Sequence, residues 1–163
     1  MSDQNRLSQR IEKAGFLPAR IRKLVITRAF GGQVRFARTA GIKFDQLEPG
    51  RAVVFLSDAR KVQNHIRTVH AAAMALLAES ATGAVFAMDV PGTHIPLLKA
   101  MQVTYTKQAK GGLRAIATLS ETTRERMHNE ERGEVDVPVS VSDVSGDEPL
   151  QAQLTWAWVP RKS

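Results

Sequence analysis

The sequence predicts an α+β domain in which a strongly curved antiparallel sheet wraps round one long buried helix, with extra helices ahead of it. Three observations predict this. Over residues 70–88 apolar side chains occupy every helical face, and a helix that is apolar all round is buried all round. One strand-like pair precedes that run and four alternating segments follow it, so a sheet has to close over the helix. The chain has 163 residues, 43% of them hydrophobic, which suffices for one core without cross-links.

Leu7, Ile11 and Ala14 recur at helical spacing, and Gly15 interrupts that short helix. Pro18 stands where a first helical residue belongs. Ile21, Leu24 and Val25 supply the next apolar stripe, which Gly31-Gly32 is expected to break. Residues 1–34 are therefore expected to form a helical extension, and residues 35–163 the sheet-and-helix domain. Ile42 and Phe44, the turn Glu48-Pro49-Gly50, and residues 52–56 predict a hairpin. The small residues Ala71, Ala72, Ala73, Ala75, Ala78, Ala81 and Gly83 let strands approach the central helix closely.

Pro91-Gly92 ends that helix. Met101, Val103 and Tyr105 share one strand face; Leu113, Ala115, Ala117 and Leu119 share the next, and Gly111-Gly112 reads as the hairpin turn between them. Val135, Val137, Val139 and Val141 form a third row, and Leu150, Ala152, Leu154, Trp156 and Trp158 a fourth. Pro138 cannot donate to a ladder, so its strand is expected at an edge or with a bulge.

Composition excludes several chemistries. The chain has no cysteine, so disulfides, thiolate zinc sites and a cysteine nucleophile are ruled out. The net charge is +7, and through Lys61 there are 13 Lys and Arg against 5 Asp and Glu. Arg20, Arg22, Lys23 and Arg28 predict a basic helix face, but no helix-turn-helix spacing and no basic strand with interleaved aromatics accompanies it. It is read as a solubilising face, and neither nucleic acid nor membrane is expected as a partner. Residues 1–10 are too polar for a signal peptide, so the expected location is cytoplasmic.

Within the apolar helix Glu79 is the one charged residue, and a buried carboxylate without compensation costs several kcal/mol. His70 falls at the helix N-terminus, where the N–H groups of His70 and Ala71 are placed to bind a developing oxyanion. Asn64, in the preceding loop, offers a side-chain amide to the same oxygen. Taken singly, each has a plainer reading: an ion-paired or surfacing glutamate, a capping histidine, a turn asparagine. His70 and Glu79 are nine residues apart, about half a turn out of phase and about 13.5 Å along the axis. Their cooperation therefore requires a second subunit about a two-fold axis.

The stretch Asn64-His65-Ile66-Arg67-Thr68-Val69-His70-Ala71-Ala72, followed by Leu77-Ala78-Glu79 and Gly83, resembles the hotdog-fold thioesterases of the phenylacetyl-CoA thioesterase type. The later strand with Tyr105, Lys107 and Ala109 is similar to the family's strand after the helix. The likeness implies a hotdog fold, a homodimer or a tetramer of paired dimers, and hydrolysis of a fatty-acyl or aryl-acyl coenzyme A with no metal or organic cofactor. It implies Glu79 as general base or nucleophile, the Ala71 N–H in the oxyanion hole, and Asn64 and His70 orienting the thioester carbonyl. Arg67 and Thr68 fall in the substrate-binding loop, and Arg60, Lys61, Lys99, Lys107 and Lys110 are the candidates for adenine and phosphate contacts. Where the family carries glycines this chain has Arg67, Ala71 and Ala72. Alanine leaves the backbone amide in place, whereas Arg67 puts a bulky cation at a tight-turn position.

The reading from another class is a non-catalytic hotdog dimer that binds acyl ligands or mediates interactions. The feature separating the two is whether Glu79 is left poised or sealed by an arginine such as Arg67. A dehydratase or hydratase ranks below both, since the hydratase pattern of two aspartates and a histidine is missing.

Overall fold

The computed structural model describes residues 5–161; the first residues of the predicted extension and the last two of the predicted domain lie outside the described residues. Three helices open the chain: α1 (Arg6–Ala14), α2 (Ala19–Gln33) and α3 (Arg35–Ala40). The Asn5 Oδ1 caps α1 by accepting from the Leu7 and Ser8 N–H groups at 2.9 and 3.1 Å. Its amide nitrogen donates to the carbonyls of Ala87 and Val90, at 2.6 and 2.7 Å. One side chain thus satisfies orphan groups at the start of one helix and the end of another.

Two expectations for α2 are corrected. Pro18 is its N-cap, and the helix runs through Gly31-Gly32 to Gln33, with Val34 as the C-cap, whose φ of −111° leaves the helical region. Gly31 does not break the helix; it lets α3 fold back, since a Cβ there would lie 3.2 Å from the Arg38 Cβ. The helix buries Ile26 and Phe30, with the Phe30 ring 4.8 Å from that of Phe44 on the sheet. Ile21 and Leu24, the predicted apolar stripe, face outward.

The hairpin of β1 (Lys43–Glu48) and β2 (Arg51–Leu56) forms as expected, with Gly50 at φ +77° in the turn. The central helix α4 (Ala71–Asp89) follows, with His70 as its N-cap. Then come β3 (His94–Tyr105), β4 (Leu113–Thr118), α5 (Glu121–Asn129), β5 (Gly133–Asp136), β6 (Val139–Asp143) and β7 (Leu150–Pro160). The order β1-β2-β4-β6 makes one half of the sheet, and β3-β7-β5 the other. Gly111-Gly112 is therefore not a hairpin turn: β3 pairs with β7 and β4 with β2. The intervening loop crosses between the halves, held by the Lys110 N–H donating to Asp143 Oδ2 at 2.9 Å.

The third predicted strand is divided at Pro138, and each piece lies at the end of its strand order, the edge alternative. Before it, β5 pairs with β7; after it, β6 pairs with β4. The Val137 N–H donates to the Leu154 carbonyl at 3.0 Å, and the Pro138 carbonyl accepts from the Thr118 N–H at 3.1 Å. A residue without an N–H marks the point where the strand changes partners, and the two halves become one curved, open surface. The sequence reading missed α5. This polar helix is capped by the Ser120 Oγ and buries Met127 as its single core contact.

The sheet wraps α4 as predicted. Gly83 lies under the Trp156 indole, where a Cβ would approach the ring carbons to 2.7 Å. The Trp156 Nε1 donates to Thr82 Oγ1 at 3.0 Å, and Phe86 packs against both Trp156 and Trp158. The C-terminal half of α4 is closed off. Near its N-terminus Ala71, Ala72, Ala75 and Glu79 remain partly or fully exposed.

Candidate functional site

The loop ahead of α4 is a tight hairpin closed by the bridge between Gln63 and Val69. Asn64 organises it. Its N–H donates to the Thr68 carbonyl at 2.9 Å, and its Oδ1 accepts from the Ile66 and Thr68 N–H groups, both at 3.1 Å. The Nδ2 donates to Thr68 Oγ1 at 3.0 Å, which leaves the second amide hydrogen without a partner among the described residues. Asn64 therefore holds the turn, as the plainer reading of a loop asparagine has it, with Thr68 as its main partner.

Arg67 has φ +62°, the one positive value at a non-glycine among the described residues. A left-handed backbone costs a residue with a Cβ about 1–2 kcal/mol, and this is a position where the resembling family carries glycine. The side chain is exposed. It lines an open polar groove of about 560 Å³ together with Arg60, Gln63 and Asn64. Neither arginine has an ion pair among the described residues.

The helix start shows which donors are free. His70 Nδ1 accepts from the Ala72 N–H at 3.0 Å, so its neutral ring carries the proton on Nε2. The N–H groups of Ala73 and Met74 donate to the His70 carbonyl at 2.9 and 3.1 Å. The His70 N–H itself donates to the Val62 carbonyl at 2.8 Å, which corrects the expectation that it lies open to an oxyanion. Ala71 is left: among the described residues its N–H has no acceptor, at the positive end of a 19-residue helix.

Two turns on, the Glu79 side chain is half-buried with no hydrogen-bond or ion-pair partner among the described residues. Burial pushes its carboxyl above the usual glutamate range, with no nearby cation to pull it back. Arg67 does not seal it, being turned to the polar groove on the loop.

Beside the loop runs an apolar groove of about 250 Å³, whose walls include Phe36 and Ala40 of α3, Val62, His70 and Leu76. Lys61 reaches it too and donates from Nζ to the Thr39 carbonyl at 2.7 Å. Gln63 lies on both grooves, so they adjoin. The remaining cations proposed from sequence are engaged elsewhere. Lys99 pairs with Glu134, and Lys107 and Lys110 pair with Asp147 at 2.8 and 3.6 Å; none of them lines either groove. The structure thus brings Arg60, Asn64, Arg67, Thr68, His70 and Ala71 together and leaves these three lysines apart.

Sequence reasoning missed Phe36, Gln63 and the contact of Tyr105, whose hydroxyl donates to the Ala71 carbonyl at 2.8 Å and ties the end of β3 to the start of α4. The Tyr105 position on a strand face was legible, but its partner was not. Among the described residues no three His, Asp or Glu side chains converge as a metal site.

The folded chain is similar to a protein of unknown function from Pseudomonas aeruginosa described as a probable thioesterase. The two are 22% identical, with a TM-score of 0.76 over 89% of this chain and 97% of that one. It is similar to a thioesterase family protein from Silicibacter pomeroyi, 16% identical, with a TM-score of 0.68 over 83% and 96% of the two chains. A thioesterase from Staphylococcus aureus, 21% identical, aligns with a TM-score of 0.64 over 77% of this chain and 99% of its own. That protein has been crystallised with a glutamine replaced by alanine and, separately, with a glutamate fifteen positions later replaced by alanine. No curated protein matches the sequence. At these identities the likeness establishes the α+β hotdog fold, a sheet curved about one long helix. A family model matches residues 22–159, from within α2 almost to the end of β7, and on that match the chain belongs to the family designated DUF4442, a domain of unknown function.

Proposed function

We propose that this protein hydrolyses acyl thioesters as a homodimer, with Glu79 as the general base. The observation that carries the proposal is a half-buried glutamate on the uncovered face of a helix, where neither the glutamate nor the helix's first N–H has a partner among the described residues. A carboxylate held that way is a stronger base than one sealed by an arginine. The spacing of Asn64 and Glu79 equals that of the glutamine and glutamate altered in the Staphylococcus aureus thioesterase, which supports pairing an amide donor with an acid.

In this mechanism Glu79 takes a proton from water as its oxygen bonds to the thioester carbonyl carbon. The Ala71 N–H and the spare Asn64 amide hydrogen stabilise the oxyanion, and the capping bond fixes His70 with Nε2–H toward the bound acyl group. Collapse breaks the carbon–sulfur bond, and the thiolate takes the proton back from Glu79. Because the Ala71 N–H and the Glu79 carboxylate lie apart on one helix, each site combines the loop and helix start of one protomer with Glu79 of its partner. The uncovered face of small residues on α4 and the free edge of β3 are the surfaces available for that pairing. The apolar groove suits a fatty-acyl or aryl-acyl group, and Arg60 and Arg67 suit the phosphates of coenzyme A.

The test is thiol release from short, long and aromatic acyl-coenzyme A substrates by wild type and Glu79→Gln. Turnover should fall by roughly 100- to 10,000-fold in the variant, the usual contribution of a general base. Absence of hydrolysis by folded wild-type dimer across the whole panel would overturn the assignment in favour of a non-catalytic acyl-binding dimer.

A further inference from the structure

The corner between α1 and α2 presents an apolar surface that the site described above does not use. Phe16, in the turn, is 96% exposed, and Leu24 and Ile21 are 65% and 48% exposed. On α2 the residues Arg20, Ile21, Leu24 and Arg28 fall within one arc of roughly 100°, on the side away from the buried Ile26 and Phe30. The helix therefore has two apolar sides, and only one is covered by the fold. The charge around the open side is predominantly positive. Residues 5–41 contain nine Lys and Arg against the lone acid Glu12, so this segment carries +8 and the rest of the chain is close to neutral, giving +7 overall. Lys23 is neutralised by Asp45 of β1 at 2.9 Å, whereas Arg20 and Arg28 pair with no acid among the described residues.

From this we infer that the α1–α2 corner docks on an anionic lipid bilayer, with Phe16 and Leu24 inserted at the headgroup boundary and the flanking cations on the lipid phosphates. An outward apolar stripe rimmed by cations is the physical requirement for interfacial binding. Charge complementarity favours a membrane over a second copy of the chain, since two such corners would bring like charges together. The fold argues the same way. α2 packs on β1, at the opposite end of the sheet from the free edge of β3, so this surface lies outside the pairing proposed above. The sequence reading took the basic face as merely solubilising and expected no membrane partner; it could not see that the apolar stripe beside that face points outward. The inference is independent of thioester hydrolysis.

The experiment is co-sedimentation of the full-length protein with vesicles of phosphatidylcholine alone and of phosphatidylcholine mixed with phosphatidylglycerol. The mixed vesicles should retain the protein, less so as salt is raised, and the neutral vesicles should not. Phe16→Ser with Leu24→Ser should weaken binding by at least roughly tenfold, and Arg20→Glu with Arg28→Glu by roughly fivefold or more per cation. These side chains are exposed, so both variants should melt like wild type, which separates loss of docking from loss of fold. Failure of wild type to bind anionic vesicles, or undiminished binding by both variants, would overturn the inference. So would a solution mass that falls when Phe16 and Leu24 are replaced, which would assign the surface to a second copy, or salt-sensitive binding to nucleic acid that survives that replacement.

Discussion

Glu79 and Asp89 stand ten residues apart on the same helix, and the fold treats them in opposite ways. Asp89, 5% exposed, lies at the C-terminal end of α4, where the helix dipole disfavours an anion, and the Arg124 Nε donates to its Oδ1 at 2.9 Å. That arginine comes from α5, which buries little else, so a main structural duty of α5 is to bring a cation to the closed end of α4. Glu79, midway along the helix, has no cation partner among the described residues. Burial alone acts on it and raises its pKa. The carboxylate sealed in the core is given a cation from a neighbouring helix, and the one on the partly exposed side has no partner among the described residues.

Removing the partner from the closed end is the strongest way to break the contrast. Arg124→Ala should destabilise the protein by about 3 kcal/mol in denaturant unfolding, the low end for stranding a buried charge, because Arg124 is itself partly exposed. Asn64→Asp tests the open end. It keeps the acceptor that holds the loop and removes the amide donor, so kcat should fall about 100-fold with melting unchanged. A change confined to KM would reassign Asn64 to substrate binding.

Glu79→Gln sharpens the comparison through pH. A glutamate whose folded pKa is raised binds its proton more tightly when folded, so its destabilising effect is absent below the unfolded value near 4.5 and grows as pH rises through the folded one. The glutamine variant should therefore melt above wild type at neutral pH, with the difference vanishing in acid. A variant that melts lower at neutral pH would mean that Glu79 has a stabilising partner after all. In wild type, hydrolysis should rise with pH through a value above the ordinary glutamate range. The smallest effect is expected at Arg67. Arg67→Gly relieves the left-handed backbone and should stabilise the fold by up to about 1 kcal/mol while raising KM for coenzyme A esters, so a stability gain without a KM change would deny Arg67 its phosphate.

Much of this was legible in the residues. The α4 run, its lone glutamate, the histidine at its start and the β1–β2 hairpin all depend on periodicity and turn chemistry within a few positions. The resemblance singled out Arg67 as a cation on a glycine position, and the left-handed φ there is the backbone counterpart of that substitution. By contrast, Gly111-Gly112 looked like a hairpin turn because two strands flank it, yet strand partners are chosen across the sheet. The free Ala71 N–H could not be told from the occupied His70 N–H, since the acceptor that distinguishes them is Val62, eight residues back on the far side of the hairpin before α4.

What the sequence by itself determined was most of the local elements and the lone glutamate of the central apolar run, because spacing along the chain decides which side chains share a face. The tertiary structure alone decided which of those faces is covered. It turned the Ile21 and Leu24 stripe outward by burying Ile26 and Phe30 against the sheet, divided the valine strand at Pro138 between two partners, and gave Arg124 to Asp89 while leaving Glu79 alone. Each of those outcomes rests on contacts between residues far apart in the chain, where pattern carries no information about partners.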